Sequence, residues 1–121
     1  MIAIDTNVVV RYLTGDHPEQ SGRAKALIER EDIFVPVTVI LECDWVLRSA
    51  YGYDKADVAR ALRAFAGLPT VSVEDPGRVS EAMDRAMSGM DFTDALHLAG
   101  SDRCTGLATF DQRLIKAALA V

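Results

Sequence analysis

The chain has 121 residues, of which half are hydrophobic and 26% are charged, so its size and composition are those of a single globular domain over residues 1–121 rather than a disordered segment. Its formal charge of -5 excludes a classical basic nucleic-acid binder, which neutralises phosphates with lysine and arginine. The longest apolar stretch, residues 33–41, is too short to cross a bilayer. Because no basic and apolar leader opens the sequence, we expect a cytoplasmic protein without a membrane span.

Short apolar runs alternate with longer amphipathic segments along the chain. We predict strands at residues 2–4, 33–35, 70–73 and 107–109. Helices are predicted at residues 8–13, 18–30, 37–49, 55–66, 76–88, 91–99 and from 112 onward. The closing helix should turn Leu114, Ile115, Ala118 and Leu119 inward. This alternation predicts a three-layer α/β/α fold with a short, mostly parallel central sheet, in which ligands bind beyond the carboxyl ends of the strands.

The two cysteines, Cys43 and Cys104, indicate neither a disulfide framework nor a zinc site. Each is assigned to a helical segment, and neither has a second cysteine nearby at a zinc-ligand spacing. We therefore expect both to be buried free thiols.

Acidic residues follow the predicted strands at one edge of the sheet. Asp5 comes directly after the first strand and Asp111 directly after the fourth, so both should project at the carboxyl edge. Glu42 interrupts an apolar helix that begins at the same edge, where a carboxylate is costly unless it is paired or bound to metal. Asp91 and Asp94 are three residues apart at a helix start, which places them on one face.

Carboxylates that converge without matching lysines repel one another, and a divalent cation is the usual way to neutralise them. Oxygen ligands favour magnesium or manganese over zinc. A purely structural interpretation stays open for each acid, because aspartate is a preferred helix cap and Asp5, Asp91 and Asp111 all precede predicted helices. Glu42 can equally reach solvent or the helix dipole.

Taken together, these segments resemble PIN-domain nucleases, specifically VapC-type toxins. The resemblance rests on residues 4–8, the Glu42 helix, residues 91–99 and residues 109–111, in the order of the family, and it covers essentially the whole chain. It implies an acidic metal-binding and catalytic quartet made of Asp5, Glu42, Asp94 and Asp111. It assigns accessory roles around those ligands to Asp91, Thr6, Asn7 and Thr109.

The resemblance implies a magnesium-dependent endoribonuclease, with manganese as a substitute, that acts as the toxin of a toxin–antitoxin pair. It also implies a homodimer and a small antitoxin protein that covers the acidic site. Two divalent ions would offset four of the five net negative charges, which reconciles the acidic composition with an RNA substrate. Whether one or two metals bind stays open, as does the RNA contact among Arg11, Arg48, Arg103 and Arg113.

Rival interpretations fit the residues less well. A receiver-like signalling module needs adjacent acids after the first strand and a lysine after the last, whereas Asp5 stands alone and Lys116 lies within the closing helix. A phosphatase of the haloacid dehalogenase type needs a second aspartate where this chain has Asn7. A catalytically inactive PIN-fold module that binds other proteins is the remaining alternative, and the intact set of acids argues against it.

Overall fold

A three-stranded parallel sheet lies at the centre of the protein. The computed structural model describes residues 1–119, without the side chain of Leu119. Its strands are β1 (Ile2–Ala3), β2 (Ile33–Val35) and β3 (Val71–Val73), in the spatial order β1-β2-β3. β2 is central and pairs in parallel with both neighbours. This topology requires a helical crossover between successive strands, which the intervening helices provide.

Seven helices accompany the sheet in this part of the chain. They are α1 (Thr6–Thr14), α2 (Pro18–Arg30), α3 (Val37–Ser49), α4 (Lys55–Ala66), α5 (Pro76–Met87), α6 (Phe92–Gly100) and α7 (Gln112–Leu119). Local signals set their ends: Gly15 takes a left-handed conformation that ends α1, and Pro18 occupies the first turn of α2. The predicted three-layer α/β/α fold with a short parallel sheet is confirmed.

The core is continuous and draws on nearly every element. α1 packs on α2 and α3, α4 packs on α3 and α5, and α5 packs on α6. The largest buried apolar side chains come from β2 and six helices: Phe65, Phe92, Ile28, Ile33, Ile40, Leu62, Met83, Val9, Val35, Val58 and Val79. No helix among the described residues is both long enough and apolar enough to traverse a bilayer.

The prediction of a fourth strand at residues 107–109 is wrong. The described chain has neither strand nor helix between α6 and α7, and Leu107 is 38% exposed while Phe110 is fully exposed. Three weakly apolar residues bury too little surface to distinguish a strand from a loop. In addition, the Thr109 hydroxyl accepts a hydrogen bond from the Asp111 amide at 3.0 Å, and such local side-chain bonds compete with sheet pairing.

The prediction for Cys104 is also wrong. Cys43 is buried in α3 as expected, but Cys104 is exposed in the turn after α6. α6 ends before it at Gly100, where the Ser101 amide closes the last turn on the carbonyl of Leu98 at 3.1 Å. In α7, Leu114 is buried and the predicted inward residues Ile115 and Ala118 are partly buried, while the side chain of Leu119 lies outside the described residues.

The two thiols should differ sharply in reactivity. Burial raises the pKa of Cys43 to about 12, and the negative charges of Glu42, Asp5 and Asp44 add to the effect. Because the thiolate is the nucleophile, a thiol reagent should modify Cys104 alone in the native protein and both cysteines after denaturation. Peptide mass spectrometry would measure this, with Cys104→Ser as the control. Equal labelling of both cysteines in the native protein would contradict the expected burial.

Candidate active site

The first part of the site lies where α1 and α3 begin. Asp5 is exposed and caps α1, accepting a hydrogen bond from the Val8 amide at 3.4 Å. The next side chain, Thr6, is nearly buried, and its hydroxyl donates to Oε1 of Glu42 in α3. Parallel pairing of β1 with β2 sets the two helix starts side by side. The buried hydroxyl of Thr6 therefore orients one predicted ligand, Glu42, beside another, Asp5.

Cys43 lies beneath this pair. Its Sγ atom is 4.0 Å from the carbonyl oxygen of Thr6, and the charges of Glu42 and Asp5 both contribute to its raised pKa after the larger effect of burial. Both carboxylates therefore lie within electrostatic range of the same buried thiol. Asp5 and Glu42 form the first group of acids.

The second group lies at the start of α6. Asp91 caps that helix, with Oδ1 accepting from the Asp94 amide at 3.1 Å. Burial raises the pKa of Asp94, the charges of Asp91 and Asp111 raise it further, and His97 opposes them. Three negative charges thus lie within electrostatic range of one another, and His97 partly offsets their effect on Asp94.

Asp111 belongs to this group although it lies on another helix. Its Oδ1 accepts from the amides of Arg113 at 2.9 Å and Leu114 at 3.3 Å, which caps α7. The Thr109 hydroxyl holds the Asp111 backbone in turn. Capping by Asp5, Asp91 and Asp111 is confirmed, and because each cap uses Oδ1, it does not occupy the whole carboxylate.

Sequence reasoning overlooked the buried acid Asp44. This residue is 1% exposed in α3 and accepts from Arg48 Nε at 3.1 Å and Nη2 at 2.9 Å. Burial raises the pKa of Asp44, while its hydrogen bonds with Arg48 lower it. Arg48 Nη2 also lies 3.7 Å from Oδ2 of Asp91. The available signal was an aspartate in an apolar helix with an arginine four residues later.

The structure therefore places the predicted ligands in two groups, Asp5 with Glu42 and Asp94 with Asp111 and Asp91. Asn7 is exposed in the first turn of α1. Across the described residues, no three His, Cys, Asp or Glu side chains are arranged to hold a metal ion. The donors nonetheless suit magnesium or manganese chemically, because all are carboxylates.

The side chains that are candidates for RNA contacts are either engaged by neighbouring residues or exposed to solvent. Arg11 is engaged, since Nη1 lies 3.2 Å from both Asp16 and the Tyr51 hydroxyl. Arg103 and Arg113, before and after Asp111 in the sequence, are exposed. Trp45 is 63% exposed and lies one turn after Glu42 on the outer face of α3. Arg11 is therefore a structural residue, whereas the exposed side chains are accessible to a ligand.

The protein combines an α/β/α fold with aspartates that cap the helices α1, α6 and α7. A family model described as PIN domain matches residues 2–119, and the chain belongs to that family. PIN domains are generally nucleases and typically use divalent metal ions. The chain has no significant match among curated proteins or solved structures.

The contact of Thr6 with Glu42 leads to a prediction. Thr6→Val keeps the shape of the side chain but removes its donor, so Glu42 should lose its orientation and manganese affinity should fall about 10- to 100-fold. Thr6→Ser retains the hydroxyl and should bind nearly as well as the wild type. Isothermal titration calorimetry with Mn²⁺ would measure both. Equal affinities for the two variants would show that the hydroxyl does not prepare Glu42 for metal.

Proposed function

We propose that this protein is a magnesium-dependent endoribonuclease and the toxin of a VapC-type toxin–antitoxin pair. Asp5, Glu42, Asp94 and Asp111 serve as the catalytic and metal-binding residues. The observation that carries the proposal is the arrangement of the carboxylates: Thr6 donates to Glu42 beside Asp5, Asp91 caps the turn that carries Asp94, and the charges of Asp91 and Asp111 both act on Asp94. A divalent cation would relieve that repulsion, and nuclease activity is general in the PIN domain family.

The residues of the chain have distinct parts in this chemistry. When bound, magnesium would supply a Lewis acid and a nucleophilic water for hydrolysis of the phosphodiester. Thr6 orients Glu42, and Asp91 fixes the first turn of α6 and hence Asp94. Thr109 holds the backbone of Asp111. Glu42 is thus held through its carboxylate, whereas Asp94 and Asp111 are held through their backbone amides.

RNA would reach the acids along their exposed flank. Arg103 and Arg113, which precede and follow Asp111 in the sequence, are exposed and suit phosphate oxygens. The exposed indole of Trp45, one turn from Glu42, suits an unstacked base. Arg11 is a poor candidate because Asp16 and Tyr51 already engage its guanidinium. Arg103 and Arg113 are therefore the arginines that we propose for phosphate contacts.

The proposal includes two protein partners, a second copy of the chain and a small antitoxin, both acting in the cytoplasm. They rest on the resemblance to VapC-type toxins. The charge of the site is compatible with an antitoxin, because a basic side chain on that partner would pair with the acidic groups and compete with metal. Membership of the PIN domain family argues against the receiver-like and dehalogenase-type alternatives.

RNA cleavage tests the metal site directly. Purified protein should cut total RNA in magnesium but not with a chelator, and Asp5→Asn and Asp94→Asn should each lower the rate by about 100-fold or more. Asp54→Asn is the matched control, because Asp54 also caps a helix, α4, and accepts from the Ala56 amide. Electrophoresis of the products would measure the rates.

Two outcomes would count against the proposed chemistry. Cleavage that persists in the presence of chelator or in the Asp5→Asn variant would refute the proposed metal site. A folded wild-type protein that cuts no RNA in any condition would instead support the inactive protein-binding module.

The toxin role has a separate test. Induced expression of the wild type in a bacterial host should arrest growth, because RNA hydrolysis would halt protein synthesis. Asp94→Asn should leave growth unaffected and Asp54→Asn should arrest it like the wild type. Growth curves with matched protein levels would measure the effect. A harmless wild type that still cleaves RNA in vitro would refute the toxin role and leave the nuclease assignment standing.

A further inference from the structure

Arg48 lies between two carboxylates on different helices. On one side it donates through Nε and Nη2 to Asp44, which is buried on its own helix α3. On the other side Nη2 is 3.7 Å from Oδ2 of Asp91 at the start of α6. The guanidinium is only partly exposed. A buried acid thus fixes the direction in which Arg48 presents its charge.

The contacts continue from Asp91 into the candidate site. Oδ2 of Asp91 faces Arg48, whereas Oδ1 accepts from the Asp94 amide at 3.1 Å. A connected path therefore runs from buried Asp44 through Arg48 and Asp91 to Asp94. Such partners behind a ligand commonly set its orientation and its affinity for metal.

We propose that Asp44 and Arg48 are positioning residues that hold Asp91, and through it the first turn of α6, so that Asp94 is oriented for metal binding. This inference rests on the proposed function. Arg48 offsets the charge of Asp91, which otherwise adds to the repulsion among Asp91, Asp94 and Asp111. The planar guanidinium bonds Asp44 through two nitrogens, a geometry that the single ammonium of lysine cannot reproduce.

The charge of Arg48 and its positioning role predict different changes in metal affinity. A guanidinium near an acidic site repels a metal cation, so removing Arg48 should strengthen metal binding if only its charge mattered. If Arg48 positions Asp91 and Asp94, its removal should weaken binding. When Asp44 and Arg48 are removed together the net charge is unchanged, so a charge effect alone predicts little change in affinity, and a clear loss of affinity indicates positioning.

The variants must avoid a buried unpaired charge. Arg48→Met alone strands Asp44, which risks unfolding, so the main variant is the double substitution Asp44→Leu with Arg48→Met. Arg48→Lys is the conservative variant. The matched control is Glu81→Leu with Arg85→Met, which removes another pair of the same spacing on α5. Circular dichroism would establish that each variant is folded.

Manganese affinity by calorimetry is the first readout. We expect about a 10-fold or greater loss for the Asp44 and Arg48 double variant, a smaller loss for Arg48→Lys and none for the control. In cleavage assays the half-saturating magnesium concentration should rise, while the rate at saturating magnesium stays near that of the wild type. Unchanged or tighter manganese binding by the folded double variant would overturn the proposal.

Amide hydrogen exchange without metal is the second readout. The Asp94 amide, which donates to Asp91, should exchange faster in the double variant and at the wild-type rate in the control. Unchanged exchange would overturn positioning whether or not the protein cuts RNA. A wild type that binds no manganese would refute the proposed function, and faster Asp94 exchange in the double variant would then still support the positional link. The two failures are therefore distinguishable.

Discussion

Backbone hydrogen bonds between β1 and β2 determine where α1 and α3 begin. The Ile2 amide donates to the carbonyl of Asp32 at 2.8 Å, and the Ile4 amide to that of Phe34 at 3.2 Å. Both strands therefore end at one edge, and the helices that follow them start side by side. The contact of Thr6 with Glu42, which are 36 residues apart in sequence, depends on this pairing. A one-residue slip would move every side chain of β1 to the opposite face.

Acidic side chains at this edge stabilise the fold because they cap helices. α1, α6 and α7 each begin with an aspartate cap, and the helix N-terminus is where a negative charge is best tolerated. α3 lacks a side-chain cap of its own, and Glu74 after β3 accepts its Val37 amide at 2.8 Å. Helix starts thus gather carboxylates here, at the cost of mutual repulsion.

Much of this architecture could be predicted from sequence because its signals are local. Asp54 before α4 and Gly15 after α1 act on neighbouring residues alone, so the helix limits were predicted closely. The segment before α7 lacks such signals, and the strand predicted there was wrong because Thr109 and Asp111 bond each other instead.

The limits of prediction within the candidate site have a similar cause. Asp5 was correctly placed directly after β1, whereas the strand expected before Asp111 is absent, and the roles of all the acids as ligands stay predictions. Asp44 was overlooked because its meaning depends on burial, which only the packing of α3 reveals. Likewise, the approach of Asp111 to Asp94 depends on an irregular connection that no periodicity determines.

Trp45 provides an intrinsic fluorescence probe. It is the single tryptophan of the chain, it is 63% exposed, and it lies one turn beyond Glu42. Indole emission responds to the polarity of its surroundings and is quenched by stacked nucleobases. A molecule that binds against Trp45 on that face of α3 would therefore change the fluorescence of the unmodified protein. Binding there can be followed optically without attaching a dye.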